Sequence, residues 1–525
     1  MNKLKAFIKK YHIIPYIIII LAVILLGYGA KWYNYNGVMA VLGQNTSSFY
    51  TYFNIIFALI IIGISVVYFL AIIKRVSIEK LYLVCAGFVG IIFMLIIPPY
   101  ASADEDRHIL ECQDFSSAIF GYEMEGDKYH WLRECDANTK LGRDISVKNY
   151  QYVADNFFSK AENKEMELKY IDDITYDVDN VVYYYPGITG ITIGRLLNLG
   201  TVSTYMLARV FMLATYMVIT YFALKKIPTF KTGFALIMLM PSTMQRAAAV
   251  SYDGMLLAYI FLFVAYVFYY IYNRTTFKVK DIIIMAVAGV LMAVGKGGAY
   301  IPFLLMLFMI PRANFGTKIK YGYIVAAAIA VCILAYIGFN RELFSDIAGS
   351  SKGDTNELLW TEDKGYTLKD ILTSPKRSLK VLVNTFISLG GAKYSEMIGS
   401  GFGWLQVYIS DIWVVAYSVL LAFSVCNQEN ETFVFNKKQK VMLGTIAIAS
   451  MGLIVLSMWL FWTPISHSYV EGLQGRYFIP ILIPVFFILK NKMFAIRKDV
   501  SLCMICSAVL IYAGVFFEIW NGMKL

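Results

Sequence analysis

The chain has 525 residues, of which 58% are hydrophobic and 16% charged, and its mean hydropathy is +0.60. Soluble domains carry about 25% charged residues, so a soluble core is excluded and a protein of many membrane spans is expected. The net charge of +11 does not point to nucleic acid, because the basic residues stand in short loops between apolar runs, where they set topology.

Read from the N-terminus, "MNKLKAFIKK" is basic and is followed by an apolar stretch with no clear cleavage site, which predicts a retained signal-anchor helix. A span needs roughly 20 apolar residues, with shorter ones tolerated inside a bundle. Segments 13–30, 53–73, 81–99, 203–223, 232–249, 253–272, 281–296, 299–311, 321–340, 404–425, 441–461, 477–490 and 501–520 are the candidates. The fold class is therefore an all-α polytopic membrane protein of about 13 helices. Segments 281–296, 299–311 and 477–490 are short, so broken or re-entrant helices are expected among them.

With the N-terminus in the cytoplasm, every basic cluster falls on the cytoplasmic side. These are Lys3/Lys5/Lys9/Lys10, Lys74/Arg75/Lys80, Lys225/Lys226/Lys231, Arg274/Lys278/Lys280, Arg312/Lys318/Lys320, Lys437/Lys438/Lys440 and Lys490/Lys492/Arg497/Lys498. That agreement requires 186–199, "PGITGITIGRLLNL", to be interfacial or re-entrant, and it puts the C-terminus outside.

The chain then divides into three N-terminal helices (1–99), a large first extracytoplasmic loop (100–202), central helices (203–340), a second outer loop (341–403) and C-terminal helices (404–525). The first loop carries 19 of the 36 acidic residues, and its aromatic content suggests a folded cap. Cys112 and Cys135 both lie there, where a disulfide is chemically permitted. Two unrelated free thiols are the alternative.

Four stretches concentrate chemistry. In "PPYASADEDRHILE" the prolines end the third span, and Ser102 or Asp104 is placed to cap a new helix. Asp104, His108 and Glu111 then share one face, with Glu105 beside them. Adjacent carboxylates suit a general base or a divalent cation such as Mg or Mn, and equally an acidic turn that complements a helix dipole.

In "MPSTMQRAAAVSYDGMLLAYIF", Arg246 and Asp253 stand where ionisable groups usually line a polar cavity, although Asp253 also suits a plain helix cap. In "VGKGGAYIP", Lys296 lies between glycines that let backbone approach a ligand, or it snorkels to the surface. In "EGLQGRYFIP", Gln474, Arg476 and Tyr477 precede a span. An Arg fork there matches a phosphate head group, or anchors an interfacial helix.

In this order, "PPYASADEDRH", "YYYPGITGITIGRLLNL", "MQRAAAVSYDGMLLA", "GKGGAYIP" and "LQGRYFIP" resemble a family of uncharacterised bacterial multi-spanning membrane proteins grouped with GT-C-type glycosyltransferases. The resemblance spans roughly residues 80–490, with Ala103 standing where the family usually has Pro. It implies a GT-C-like fold in the bacterial plasma membrane, whose first large outer loop holds an acidic catalytic residue and whose donors are polyprenyl-phosphate sugars. By that resemblance Asp104 is the general base and Glu105 its partner or a metal ligand. Arg476, with Lys296, stabilises the departing lipid phosphate, and the acceptor is a surface glycan. The alternatives are a transporter or flippase of lipid-linked sugars, whose charges would lie deep in its spans, and a non-catalytic scaffold of polysaccharide assembly.

Overall fold

The computed structural model describes residues 13–123, 128–162, 165–171, 181–273, 275–315, 328–330, 332–333, 336, 356–358, 360–361, 363–426, 433–490, 494, 496 and 499–525. The described chain is mostly helical, as apolar runs must be where lipid leaves no water to satisfy a backbone group. In chain order α1 (Ile13–Leu42) precedes α2 (Ser47–Tyr68), which widens into a π turn at Phe69–Lys74, and α3 (Ile78–Ile96) follows. The segment after α3 holds α4 (Glu105–Ile119), a β1–β2 hairpin (Tyr129–Arg133 with Met166–Tyr170, antiparallel), α5 (Glu134–Ala137) and α6 (Val147–Asn156).

Next come α7 (Val181–Leu196), α8 (Thr201–Lys226), α9 (Lys231–Met238), α10 (Pro241–Ala247), α11 (Tyr252–Tyr272) and α12 (Val279–Val294). Tight 3-10 turns at Lys296–Gly298, Ile301–Met309 and Arg312–Phe315 lead on. They are followed by short strands β3 (Asn356–Glu357) and β4 (Lys364–Gly365), then α13 (Leu368–Thr373) and α14 (Pro375–Ile398). A hairpin of β5 (Gly401–Phe402) and β6 (Val407–Tyr408) precedes α15 (Asp411–Cys426), α16 (Lys437–Trp462), a 3-10 stretch at Gly475–Ile481, α17 (Leu482–Leu489) and α18 (Ser501–Asn521).

Among the described residues, seven helices are long and apolar enough to cross a membrane: Ile13–Leu42, Ser47–Lys74, Ile78–Ile96, Thr201–Lys226, Tyr252–Tyr272, Lys437–Trp462 and Ser501–Asn521. Several of the other expected segments take a different form. Segment 232–249 is broken, since Met240 is extended (ψ 142°) before Pro241, as the clash of a proline ring with the preceding residue dictates. Segment 299–311 contains nine residues of 3-10 helix. The expected span 321–340 lies, but for six of its residues, outside the described residues. Segment 375–398, expected within an outer loop, is instead a 24-residue helix with Leu379, Val383, Phe386, Ile387 and Tyr394 exposed along it. Residues 341–355 of that loop lie outside the described residues.

α11 is buried on nearly every side, which is how a helix apolar all round is accommodated. α8 and α12 pack on it, α7 hairpins back along α8, and α3 lies against α8 and α18. Gly190 permits the α7–α8 approach, because a Cβ there would meet the Ala208 backbone at 2.5 Å.

The two ends of the bundle differ in charge. Basic loops meet one another at one end: Lys231 pairs with Glu79, Lys226 with Asp281 (2.7 Å), and Lys440 donates to the carbonyls of Ile488 and Lys490. At the opposite end of α8 stands the 100–202 segment. The end of the chain is tied to it, with Lys524 N donating to Ile145 O (2.8 Å) and Trp520 stacked on Tyr150 (4.7 Å).

Candidate functional site

After α3 ends, the "PPYASAD" turn needs two left-handed residues, Tyr100 (φ 73°) and Asp104 (φ 63°). Non-glycine residues are strained there, and such strain gathers at functional sites. Asp104 occupies the cap position of α4 but makes no capping bond. Its carboxylate turns outward instead and accepts from Arg476 Nη2 at 2.9 Å.

Glu105, the neighbouring residue, points the other way. It is fully buried and holds Arg209 by both nitrogens of the fork (2.7 and 2.5 Å), and it accepts from the amides of Tyr100 (3.1 Å) and Val250 (2.9 Å). Arg209 in turn donates to the carbonyls of Met94, Ile97 and Pro98, which lose their helical partners where α3 stops. Glu105 is thus a structural strut rather than a partner of the Asp104 carboxylate, and the sequence reading of the pair is corrected accordingly.

Asp253 opens α11, but Ser251 performs the capping, accepting from the Asp253 amide at 3.3 Å. The Asp253 carboxylate is thereby released to bind Lys296 Nζ (Oδ1, 3.1 Å) and Arg476 Nε (Oδ2, 3.0 Å). Lys296 is left-handed (φ 52°), as is Gly297 (φ 57°), and this sharp reversal after α12 turns its side chain inward. The ammonium donates to Tyr252 Oη (2.6 Å) and lies 4.0 Å from the Tyr477 ring centre. It does not snorkel. Tyr477 also bears a support, since Tyr300 Oη donates to its carbonyl at 2.8 Å.

Arg476 reaches both carboxylates because Gly475 lets its segment touch α14. A Cβ at Gly475 would lie 2.4 Å from Met397 N. Gln474 stands at the start of this 3-10 stretch.

Arg246, in the last turn of α10, is 4% exposed, and among the described residues its Nε and Nη1 find no hydrogen-bond partner. It lies within electrostatic reach of Arg476, Asp253 and Asp104. Among the described residues three cations therefore face two carboxylates, an excess of one positive charge beside unsatisfied donors.

His108, one turn into α4, accepts from or donates to Tyr184 Oη at 2.6 Å and stands edge-on to Tyr252. Burial pushes its imidazole down to about 4 despite the nearby Asp104 and Asp253, so it is neutral at pH 7. Burial alone would raise the Asp104 carboxyl. The charge and hydrogen bond of Arg476, with His108 and Arg246, outweigh that and hold it below the usual range. With its side chain 35% exposed, Asp104 is ionised and open to solvent.

The β5–β6 hairpin closes the rim. Trp404, between β5 and β6, donates its indole N–H to Tyr100 O (3.1 Å), and Arg143 stacks on the Trp404 ring while binding Asp106 (2.7 Å). Beside Leu473 and Phe478, on the segment bearing Arg476, an apolar groove of about 230 Å³ runs between α14, α16 and α17, with Phe386, Met451 and Val485 in its walls.

Asp104, His108, Arg246, Asp253, Lys296, Arg476 and Tyr477 thus converge on one site, and Glu105 does not. Glu105 is committed to Arg209, and Arg476 lies between Asp104 and Asp253. Of the two readings of Cys112 and Cys135, the structure has the unrelated free thiols, Cys112 buried beneath Gly187 and Cys135 directed at Asp136 Oδ1 (3.8 Å). Sequence reasoning missed Arg209, Tyr184 and Tyr252. A lone arginine inside the apolar segment 203–223 was the available signal for Arg209.

The family described as "Predicted membrane protein (DUF2142)" matches residues 86–485, a stretch that contains the whole site, and the chain belongs to that family. No curated protein and no solved structure matches it.

Proposed function

We propose that this DUF2142 member is an integral membrane glycosyltransferase of GT-C type. It moves a sugar from a polyprenyl-phosphate carrier to a cell-envelope glycopolymer on the outer face of the bacterial plasma membrane. The observation that carries the reading is Arg246, a buried guanidinium with two unpartnered nitrogens in a cluster of surplus positive charge. A buried charge without partners is costly, and a phosphate would relieve that cost. The adjoining apolar groove supports a phosphate that arrives on a lipid.

The chemistry follows from the groups present. The ionised Asp104 carboxylate takes the proton of the acceptor hydroxyl while that oxygen bonds to the anomeric carbon. The bond from that carbon to the phosphate oxygen breaks, its electron pair stays on the departing polyprenyl phosphate, and Arg246, Lys296 and Arg476 neutralise the charge. Because Arg476 is shared, an arriving phosphate draws it from Asp104, and the carboxylate becomes a stronger base when substrate is bound. His108, neutral, and Tyr477 shape the wall, Gln474 sets the turn that presents Arg476, and Glu105 holds the Asp104 turn in place.

One observation favours a transporter or flippase instead. The charged residues sit at interrupted helices, at the α10–α11 junction and the turns after α12, and broken helices line transporter sites. Purified protein in vesicles, given a labelled polyprenyl-phosphate sugar and an envelope glycan, separates the readings. A transferase moves label to glycan and loses this in Asp104→Asn, a transporter carries the intact lipid across, and a scaffold does neither. Unchanged envelope sugar composition in a deletion strain would refute the transferase.

A further inference from the structure

We infer that the segment between α3 and α7 carries a second ligand site, built for a neutral saccharide and separate from the anion site. A cavity of about 330 Å³ opens between α5, the end of α6 and the start of α8, at the lower end of the roughly 300–1,000 Å³ typical of small-molecule pockets. Thr201 forms part of its wall, and Arg209 lies eight residues further along α8. At about 1.5 Å rise per residue, the cavity stands roughly 12 Å beyond the Glu105–Arg209 strut.

Its lining selects the ligand class. Asn138 brings an amide that donates and accepts, Asn156, whose Nδ2 donates to Tyr152 O (2.9 Å), brings its carbonyl oxygen as an acceptor, Glu134 and Glu162 bring carboxylates, and Lys160 brings a single ammonium. Sugar hydroxyls are both donors and acceptors and need such a mixed set. Tyr152 adds an aromatic flank for the apolar face of a sugar ring. Two carboxylates against one ammonium repel a phosphate, the reverse of the balance around Arg246.

The cavity is also preformed. Gly200 N donates to Ser159 O (2.9 Å) and Ala161 N to Asn198 O (3.1 Å), which closes one wall. Thr201 Oγ1 donates to Asp136 Oδ1 (2.9 Å), itself locked by Arg133 (Nε to Oδ2, 2.9 Å). A fixed wall lowers the entropy lost on binding.

This inference rests on the transferase reading only for the ligand's identity as part of the acceptor glycan. The test is isothermal titration of the full chain in lipid nanodiscs with glucose, galactose, N-acetylglucosamine and their disaccharides. At least one of these neutral sugars should bind. Binding should weaken at least tenfold in Asn138→Ala and Tyr152→Ala, stay within twofold in Asp104→Asn, and resist competition by inorganic phosphate. Asn138 is exposed, so its variant should fold, with an unchanged melting curve as the check. No binding by any sugar, or binding that survives both variants, overturns the proposal. Sugar binding without transfer to glycan would sink the transferase reading and leave this site standing.

Discussion

Asp104 and Glu105 are adjacent in sequence, and each pairs with an arginine, yet the two ion pairs have opposite character. Around Glu105 the charges balance, exposure is nil and the carboxylate is met by Arg209 and two backbone amides. Around Asp104 the cations outnumber the carboxylates, the side chain is partly open, and Arg246 keeps unpartnered donors. A pair that satisfies itself holds a fold together. One left with surplus charge beside a groove is the seat we propose for a ligand.

The sharpest way to break this comparison is Arg209→Ala. Removing one partner of a buried pair costs roughly 3–5 kcal/mol, so thermal unfolding in detergent should show a large loss of stability or no folded protein. An unchanged melting temperature would remove the strut from the account.

Asp104→Asn is the counterpart on the other side. We expect transfer to fall by about 10²–10⁴-fold, the usual share of a general base, with stability nearly unchanged because the side chain is partly exposed. Equal losses of stability in the Asp104 and Arg209 variants would erase the distinction between the two regions.

The smallest effect concerns pH. His108 titrates near 6.5 when unfolded and near 4 when folded, so between those values the unfolded chain binds more protons, and stability falls as pH drops from about 6.5 to 4. Melting temperature measured across that window should decline in the native protein and decline less in His108→Gln. Parallel curves would show that His108 is not buried as described.

Much of this arrangement was legible in the sequence. "DED" after a proline pair, Arg246 and Asp253 beside apolar runs, Lys296 among glycines and Arg476 before a span stood out because charge is scarce in this chain, and all but Glu105 and Asp106, which turn to Arg209 and Arg143, meet in space. Which of two adjacent carboxylates faces the site was hidden. That depends on the left-handed Asp104 backbone and on an arginine 104 residues away, and neither leaves a local pattern. The capping role of Asp253 read plausibly until Ser251 was seen to supply it. Helix breaks were only partly visible: Pro241 marks one. In 375–398 the lysines and the asparagine lowered the hydropathy enough to disguise a helix as a loop.

The central claim is that Arg246, Lys296 and Arg476 form a seat for a lipid-borne phosphate. The direct measurement compares binding of a short-chain polyprenyl phosphate with the same alcohol lacking phosphate, to protein in nanodiscs. A hydrogen bond to a charged group is worth about 2 kcal/mol, roughly thirtyfold in affinity, so the phosphate should bind at least that much tighter, and Arg246→Leu should shrink the advantage while the protein stays folded. Equal affinity for phosphate and alcohol, or an advantage untouched by Arg246→Leu, would contradict the account.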